Sequence, residues 1–432
     1  MRSLLVKALG GSTAVRLIGM GFGFLVGVQL ARGLGTDGYG TYGLAMSIIA
    51  LLMIPTEFGL PILVVRETAS SVAKREWGKF RGLLAWSARF IIGVSLLVSL
   101  VVVGVLLLGP PLANRSLAAT MMLGLPLIPL VALGKTRSAA LRGLRKIVRG
   151  QVPDSVVRPG VHSLLLFLTA VFAINLTPNI AMGLGVMGAT VALVCAIVML
   201  RRAMPDEARD VAAEIHGSAW RASCLPMAMT EGMRTVQGHM VLLILGAVAS
   251  VSAVGVYKVA VAVNLLIATP TGIFIAVSAP LISEFAATGE RGHLQRLLSW
   301  TSAGMVAATL AMAAPIFVAG PYLIARVFGE EFREAALPLQ ILCVGAILTA
   351  TAGTAGTLLN MTGHERLVRR ASLISLLLLG ALLPVFIWSW GTVGAALASV
   401  VASFVWRQQM AQACRKMLGL EPGLWGLLKG GR

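Results

Sequence analysis

Six cations stand inside long apolar stretches of this chain: Arg16, Arg89, Arg158, Arg234, Lys258 and Arg407. Two carboxylates, Glu57 and Glu231, share such surroundings. An ionisable group at the centre of an apolar helix costs about 2.5–3.5 kcal/mol on insertion scales, so it marks an ion pair, a polar path or a substrate contact. The densest case is Glu231, Arg234, Thr235, Gly238 and His239, which fall on one face at helical spacing. Glu231 and Arg234, at i and i+3, can pair. Two readings fit this face: a charge pair that stabilises a bundle, or a wet surface lining a central path. His239 can change charge near neutral pH, which makes it a candidate coupling group.

Lys258 lies just inside the next apolar run, with Asn264 deeper in the same run. Arg16 is followed by Gly19, Gly23 and Gly27 on its own face. That stripe without side chains allows close helix packing or leaves room for a cavity, and it directs Arg16 inward. Arg89, Arg158 and Arg407 sit near helix ends and read as anchors that snorkel to headgroups. Arg16, Glu231, Arg234, Lys258 and Asn264 are therefore the candidate substrate contacts. The excess of interior cations favours an anionic passenger, because guanidinium groups pair well with phosphates and acidic sugars. Pro55 and Pro270 stand late in two equivalent apolar runs and would kink their helices. With Glu57 and His239 they are the candidate gating or coupling residues.

The elements that position these groups follow from composition. Of 432 residues, 57% are hydrophobic and 12% charged, with a mean hydropathy of +0.87. Soluble domains carry about 25% charged residues, so a soluble enzyme, a disordered chain and a disulfide-stapled secreted fold are all excluded. Twelve apolar runs are legible: 12–32, 40–62, 83–108, 118–136, 156–176, 180–200, 224–248, 254–280, 299–320, 336–360, 371–389 and 391–411. Their continuity excludes alternating barrel strands. The fold class is an all-α integral membrane protein with twelve transmembrane helices.

The linkers alternate in charge. The basic set is the start, 63–82, 137–155, 201–223, 281–298, 361–370 and the tail after 411. Counting Lys135 with the linker it adjoins, this set holds 26 of the 36 Lys and Arg. The other set (33–39, 109–117, 177–179, 249–253, 321–335 and a tight turn near Trp390) accounts for 4, including Arg32 at its edge. By the positive-inside rule both termini are cytoplasmic. The net charge of +19 then belongs to topology and anionic lipid, and no nucleic-acid partner is expected. The four cysteines lie in or beside apolar runs and read as fillers. No metal or cofactor is implied.

An internal repeat divides the chain. At an offset of 215, Gly40, Tyr42, Ala45, Leu51, Pro55 and Thr56 fall on Gly255, Tyr257, Ala260, Leu266, Pro270 and Thr271. Gly143, Lys146 and Arg149 match Gly363, Arg366 and Arg369 at an offset of 220. The expected organisation is a six-helix half (1–200), a cytoplasmic linker (201–223), a second six-helix half (224–414) and a cytoplasmic tail (415–432). Parallel repeats of this kind place a substrate path between halves that rock against each other.

Ordered short motifs carry a family resemblance. They are Leu30-Ala31-Arg32-Gly33-Leu34-Gly35, Tyr39-Gly40-Thr41-Tyr42, Glu57-Phe58-Gly59-Leu60 with Arg66-Glu67, and Gly255-Val256-Tyr257. Ala279-Pro280, Phe328-Gly329-Glu330-Glu331-Phe332, Leu359-Asn360-Met361-Thr362-Gly363-His364-Glu365 and Gly394-Ala395-Ala396 continue the series. The set resembles the Wzx-type polysaccharide flippases of the multidrug/oligosaccharidyl-lipid/polysaccharide exporter superfamily. That resemblance implies a bacterial inner-membrane flippase that carries undecaprenyl-diphosphate-linked oligosaccharide to the periplasmic leaflet. It implies alternating access through a cationic cavity, with a polysaccharide polymerase and a chain-length regulator as further partners. Where that family often has an acidic residue in the seventh helix, this chain has His239. The alternatives are a cation-coupled drug exporter of the same superfamily, a lipid II flippase and a membrane enzyme. The last lacks support: there is no paired acidic motif, no Gly-rich phosphate loop and no long outer loop for a catalytic domain.

Overall fold

Continuous apolar runs must satisfy their own backbone in lipid, and a helix does so within one segment. A computed structural model describes residues 2–108, 115–208, 211–424 and 426. The linker predicted at 109–117 lies outside the described residues from 109 to 114, as do Asp210 in the middle linker and most of the tail beyond 424. Among the described residues the regular structure is helical.

The α-helices are α1 (Arg2–Glu57), α2 (Leu60–Lys74), α3 (Trp77–Leu108), α4 (Arg115–Gly124), α5 (Leu127–Gly143), α6 (Arg158–Val171) and α7 (Pro178–Ala203). They continue as α8 (Gly217–Val248), α9 (Val251–Ile267), α10 (Thr269–Thr288), α11 (Arg291–Phe328), α12 (Ala336–Thr351), α13 (Ala355–Met361) and α14 (Glu365–Leu418). Thr177 and Ser250 cap α7 and α9, each accepting a bond from the backbone N–H three residues on.

Two of these helices fold back on themselves. In α14, Ser375 Oγ donates to the Ala402 carbonyl at 3.1 Å and Trp406 Nε1 donates to Ser372 Oγ at 3.1 Å. On one straight helix residues 375 and 402 would stand about 40 Å apart. The reversal falls at Gly391, whose φ of 54° and ψ of −128° only glycine adopts without strain. Gly35, with φ 66° and ψ −175°, does the same in α1. There a Cβ on Gly27 would meet the Tyr39 hydroxyl at 3.5 Å, where a straight helix would separate the two Cα atoms by about 18 Å. The linker predicted at 33–39 is thus not a loop; helix continues to either side of one glycine. Gly391→Ala is expected to destabilise the fold by about 1–3 kcal/mol, read as a lower midpoint in thermal unfolding followed by tryptophan fluorescence.

Eight helical stretches among the described residues are long and apolar enough to cross a membrane. The two glycine hairpins divide two of those stretches. The fifth and seventh predicted runs fall on α6, which has 14 residues, and on the polar-faced α8, neither of which is among the eight.

The predicted proline kinks take a different form. Pro55 lies in the last turns of α1, and the break follows at Phe58 (φ 40°) and Gly59 (φ 71°). Pro270 stands in the first turn of α10, where its missing N–H leaves no intrahelical bond unmade.

The chain forms two compact units, residues Met1–His239 and Met240–Arg432, so the division falls inside α8. The first buries Leu60, Leu63, Phe80, Leu83, Leu141, Trp220 and Cys224 in one core. The second buries Ile282, Leu294, Leu298, Leu358, Met410 and Cys414. On the opposite face of α3, Leu96, Leu97, Leu100 and Leu107 are exposed, as a lipid-facing helix requires. The middle linker is strapped to the first unit. Trp77 Nε1 donates to Glu207 at 3.0 Å, Arg81 donates to the Val211 carbonyl at 2.7 Å, and the Glu214 N–H donates to the Gly78 carbonyl at 2.9 Å.

Candidate functional site

The first unit encloses a cavity of about 470 Å³. It lies where α1 ends. The left-handed backbone at Phe58 and Gly59 stops the helix and turns the chain into α2, so the carboxylate of Glu57 is presented beside the break. Gly59 sits against the backbone of α8, where a Cβ would come within 2.8 Å of the Ala228 nitrogen. The wall opposite is the polar face of α8.

Glu57 accepts from Lys135 Nζ of α5 at 2.6 Å. The side chains are 23% and 39% exposed, so the pair is partly shielded from solvent. Glu231 and Arg234 pair at 3.1 Å, with Arg234 80% exposed. Thr235 Oγ1 donates to the Glu231 carbonyl at 3.0 Å, which turns that hydroxyl back onto its own helix. His239 Nδ1 meets Ser47 Oγ at 3.2 Å. Arg142 and Asp154 complete the charged lining, and Asp154 also reaches Arg158 at 3.7 Å.

The structure therefore brings together four of the predicted residues: Glu57, Glu231, Arg234 and His239. Arg16 is exposed and is not part of the lining, although its charge acts on Arg142. Pro55 is exposed next to the break and does not line the cavity. Lys258 and Asn264 belong to the second unit, on α9, where the Asn264 Oδ1 is buried without a partner among the described residues. The glycine stripe divides in two. Gly19 packs against the Ser155 backbone, whereas a Cβ on Gly23 would meet open space.

Lys135, Arg142 and Asp154 escaped sequence reasoning. Lys135 is the one lysine at the edge of the fourth apolar run, and its position was the available signal. Their presence corrects the expected cationic interior for this cavity. Three cations (Lys135, Arg142, Arg234) face three carboxylates (Glu57, Asp154, Glu231). The count along the apolar runs missed the carboxylate that the linker supplies. A site so balanced offers many donors and many acceptors, which suits a head group rich in hydroxyls.

An ion pair as exposed as Glu231–Arg234 is worth about 0–1 kcal/mol. Arg234→Ala is accordingly expected to shift unfolding by no more than that, while transport falls. A matching loss of stability would mean that Arg234 is a strut.

Long apolar helices in a wholly helical fold are the architecture of a multi-pass membrane protein. A structure described as "Lipid II flippase MurJ, inward closed conformation" aligns with a TM-score of 0.72 at 13% identity, covering 95% of this chain and 87% of that one. An inward-facing multidrug resistance MATE family transporter of the MOP superfamily aligns at 0.72 and 14% identity, covering 97% and 98%. The Vibrio cholerae MATE transporter VcmN, in the bent form, aligns at 0.61 and 14%, covering 99% and 98%. At such identities the likeness is one of fold. No curated protein matches the chain in sequence. The family model described as "Polysaccharide biosynthesis protein" matches residues 5–286, and the chain belongs to that family.

Proposed function

We propose that this protein is a flippase for lipid-linked oligosaccharide, moving an undecaprenyl-diphosphate-linked repeat unit from the cytoplasmic to the periplasmic leaflet of a bacterial inner membrane. The observation that carries the reading is a charge-balanced cavity of about 470 Å³ in a chain of the polysaccharide biosynthesis family. Carboxylates there would accept from sugar hydroxyls, and Lys135, Arg142 and Arg234 would donate to sugar oxygens or to the diphosphate. The proposal includes twelve spans in two six-helix repeats with both termini cytoplasmic, and alternating access of the site. The helix breaks beside Pro55 and Pro270 are its proposed gating points, and His239 its proposed coupling group. Arg16, Lys258 and Asn264 remain proposed contacts along the path. A polysaccharide polymerase and a chain-length regulator are its proposed partners.

A second reading has a specific observation behind it: one MATE transporter structure aligns with the same TM-score, 0.72, as the flippase does. A cation-coupled drug exporter would use Glu57, Asp154 and Glu231 to hold its cargo. All three carboxylates are already engaged, by Lys135, Arg158 and Arg234. The test is a deletion strain scored for surface polysaccharide and for sensitivity to cationic dyes. Loss of polysaccharide with unchanged dye sensitivity is expected; the reverse pattern would move the assignment to drug export.

A further inference from the structure

The second unit holds a cation that the flippase reading does not use. Arg407, on the second arm of α14, is placed by sequence to snorkel toward headgroups. Instead its Nη1 donates inward to the Thr349 carbonyl at 3.2 Å, and its guanidinium carbon lies 5.3 Å from the centre of the Trp406 ring. Its Nε is buried with no partner among the described residues. No carboxylate among them pairs with it; the nearby Glu421 is held by Arg415 at 2.8 Å. A guanidinium has five N–H donors, and here the protein takes up one.

The surroundings are built for something small and negative. Helix α12 stops at Thr351 and α13 starts at Ala355, with Gly353 at φ 65° in the break. A cavity of about 200 Å³ lies against this break, lined by Thr354, Asn360, Trp406 and Arg407 among others. The Thr354 hydroxyl is buried and unpartnered, so a second orphan donor meets the same space as Arg407. A smaller cavity of about 60 Å³ shares Arg407 and adds Gln408 and Arg415. The chain beyond α14 closes over the break: Gln295 exchanges two bonds with the Glu421 backbone, at 2.8 and 2.9 Å, and the Leu424 N–H donates to the Thr351 carbonyl at 3.1 Å. Residues 421–424 thus hold the break in shape.

An unpaired guanidinium inside a protein is costly, and an oxyanion removes that cost. We propose that the cavity beside the 352–354 break binds a phosphate-class anion, with Arg407 as its main donor and Thr354 as its second. The basic segments 361–370 and 415–416 flank these helices in sequence. Basic pockets between helices at the cytoplasmic face take anionic lipid head groups. The two sources of this chemistry are the phosphodiester of an anionic lipid and free phosphate.

The test uses the purified full-length protein in detergent, with phosphatidylglycerol and inorganic phosphate as separate probes. Thermal unfolding and native mass spectrometry provide the readouts. Wild type is expected to gain stability from a probe and to retain it. Arg407→Met is expected to bind about tenfold or more weakly, the loss of a charge-assisted bond. It is also expected to unfold no earlier than wild type when no probe is present, because the unpaired charge is gone. Thr354→Val, close in shape, is expected to bind more weakly than wild type while unfolding normally, and it serves if the Arg407 variant fails to fold. Protection by phosphatidylglycerol alone identifies the lipid head group; equal protection by inorganic phosphate identifies the soluble ion. If neither probe protects wild type, or if Arg407→Met and Thr354→Val retain the probe as wild type does, the proposal is overturned.

Discussion

Lys135→Met is expected to reduce glycan export about tenfold or more, equivalent to about 1.4 kcal/mol or more in the transport barrier. Glu57→Gln should do the same, and the exchanged pair Glu57→Lys with Lys135→Glu should recover much of the loss. The effect originates at the break between α1 and α2. Phe58 and Gly59 end the helix with left-handed backbone, and Glu57 is the last helical residue before them. Its bond of 2.6 Å to Lys135 ties that end to α5 across 78 positions of sequence. Removing Lys135 leaves a half-buried carboxylate beside the cavity without its counter-charge. Solvent screens part of the penalty, so the expected cost in stability is only about 1 kcal/mol. Export should suffer more than stability, because the pair fixes the cavity wall. The checks are surface polysaccharide and unfolding midpoint for the two single variants and the double. Full export by both singles would make the pair dispensable.

Gly19→Ala should destabilise the first unit by about 2–3 kcal/mol, and Gly23→Ala should not destabilise it. These glycines are one turn apart on the same helix and look equivalent in sequence. The structure separates them. A Cβ at position 19 would run into the carbonyl oxygen of Ser155 and come within 2.9 Å of its carbonyl carbon. Those are backbone atoms, so no rotamer change relieves the clash. At position 23 nothing lies within 4 Å of the added atom. Small residues let membrane helices approach closely, and packing replaces the hydrophobic drive that lipid does not supply. Unfolding of the two variants under identical conditions decides the matter. Equal midpoints would show that the segment after Gln151 does not pack on α1 as described.

What could be read beforehand follows the range of the physical signal. The face of α8 was legible because helical periodicity is local: Glu231, Arg234 and His239 recur every three to five residues and do line one cavity. The family was legible because short motifs persist in order along the chain. The Glu57–Lys135 pair was not, because nothing local connects residues 78 positions apart. Lys135 stands at the edge of an apolar run and counts equally well as a linker charge. The sign of the cavity is hidden for a related reason. Counting charges along apolar runs finds Arg234 but passes over Asp154, which a linker delivers to the same wall. Gly35 and Gly391 are lost among many glycines, since sequence shows where the chain can reverse and not where it does. Arg407 reads as a snorkelling anchor because its place near a helix end fits that role; its inward bond to Thr349 depends on the break in the neighbouring helix.

The activity proposed for this protein is the transport of a carrier-linked glycan across the bilayer. The most direct measurement takes a strain lacking this protein, extracts its undecaprenyl-linked intermediates for mass spectrometry, and probes intact cells with an impermeant oxidant of sugars to assign the leaflet. A completed oligosaccharide should accumulate on the cytoplasmic leaflet, protected from the oxidant, and wild type should clear it while Arg234→Ala should not. An unchanged pool of lipid-linked glycan, accompanied by new sensitivity to cationic drugs, would contradict the account.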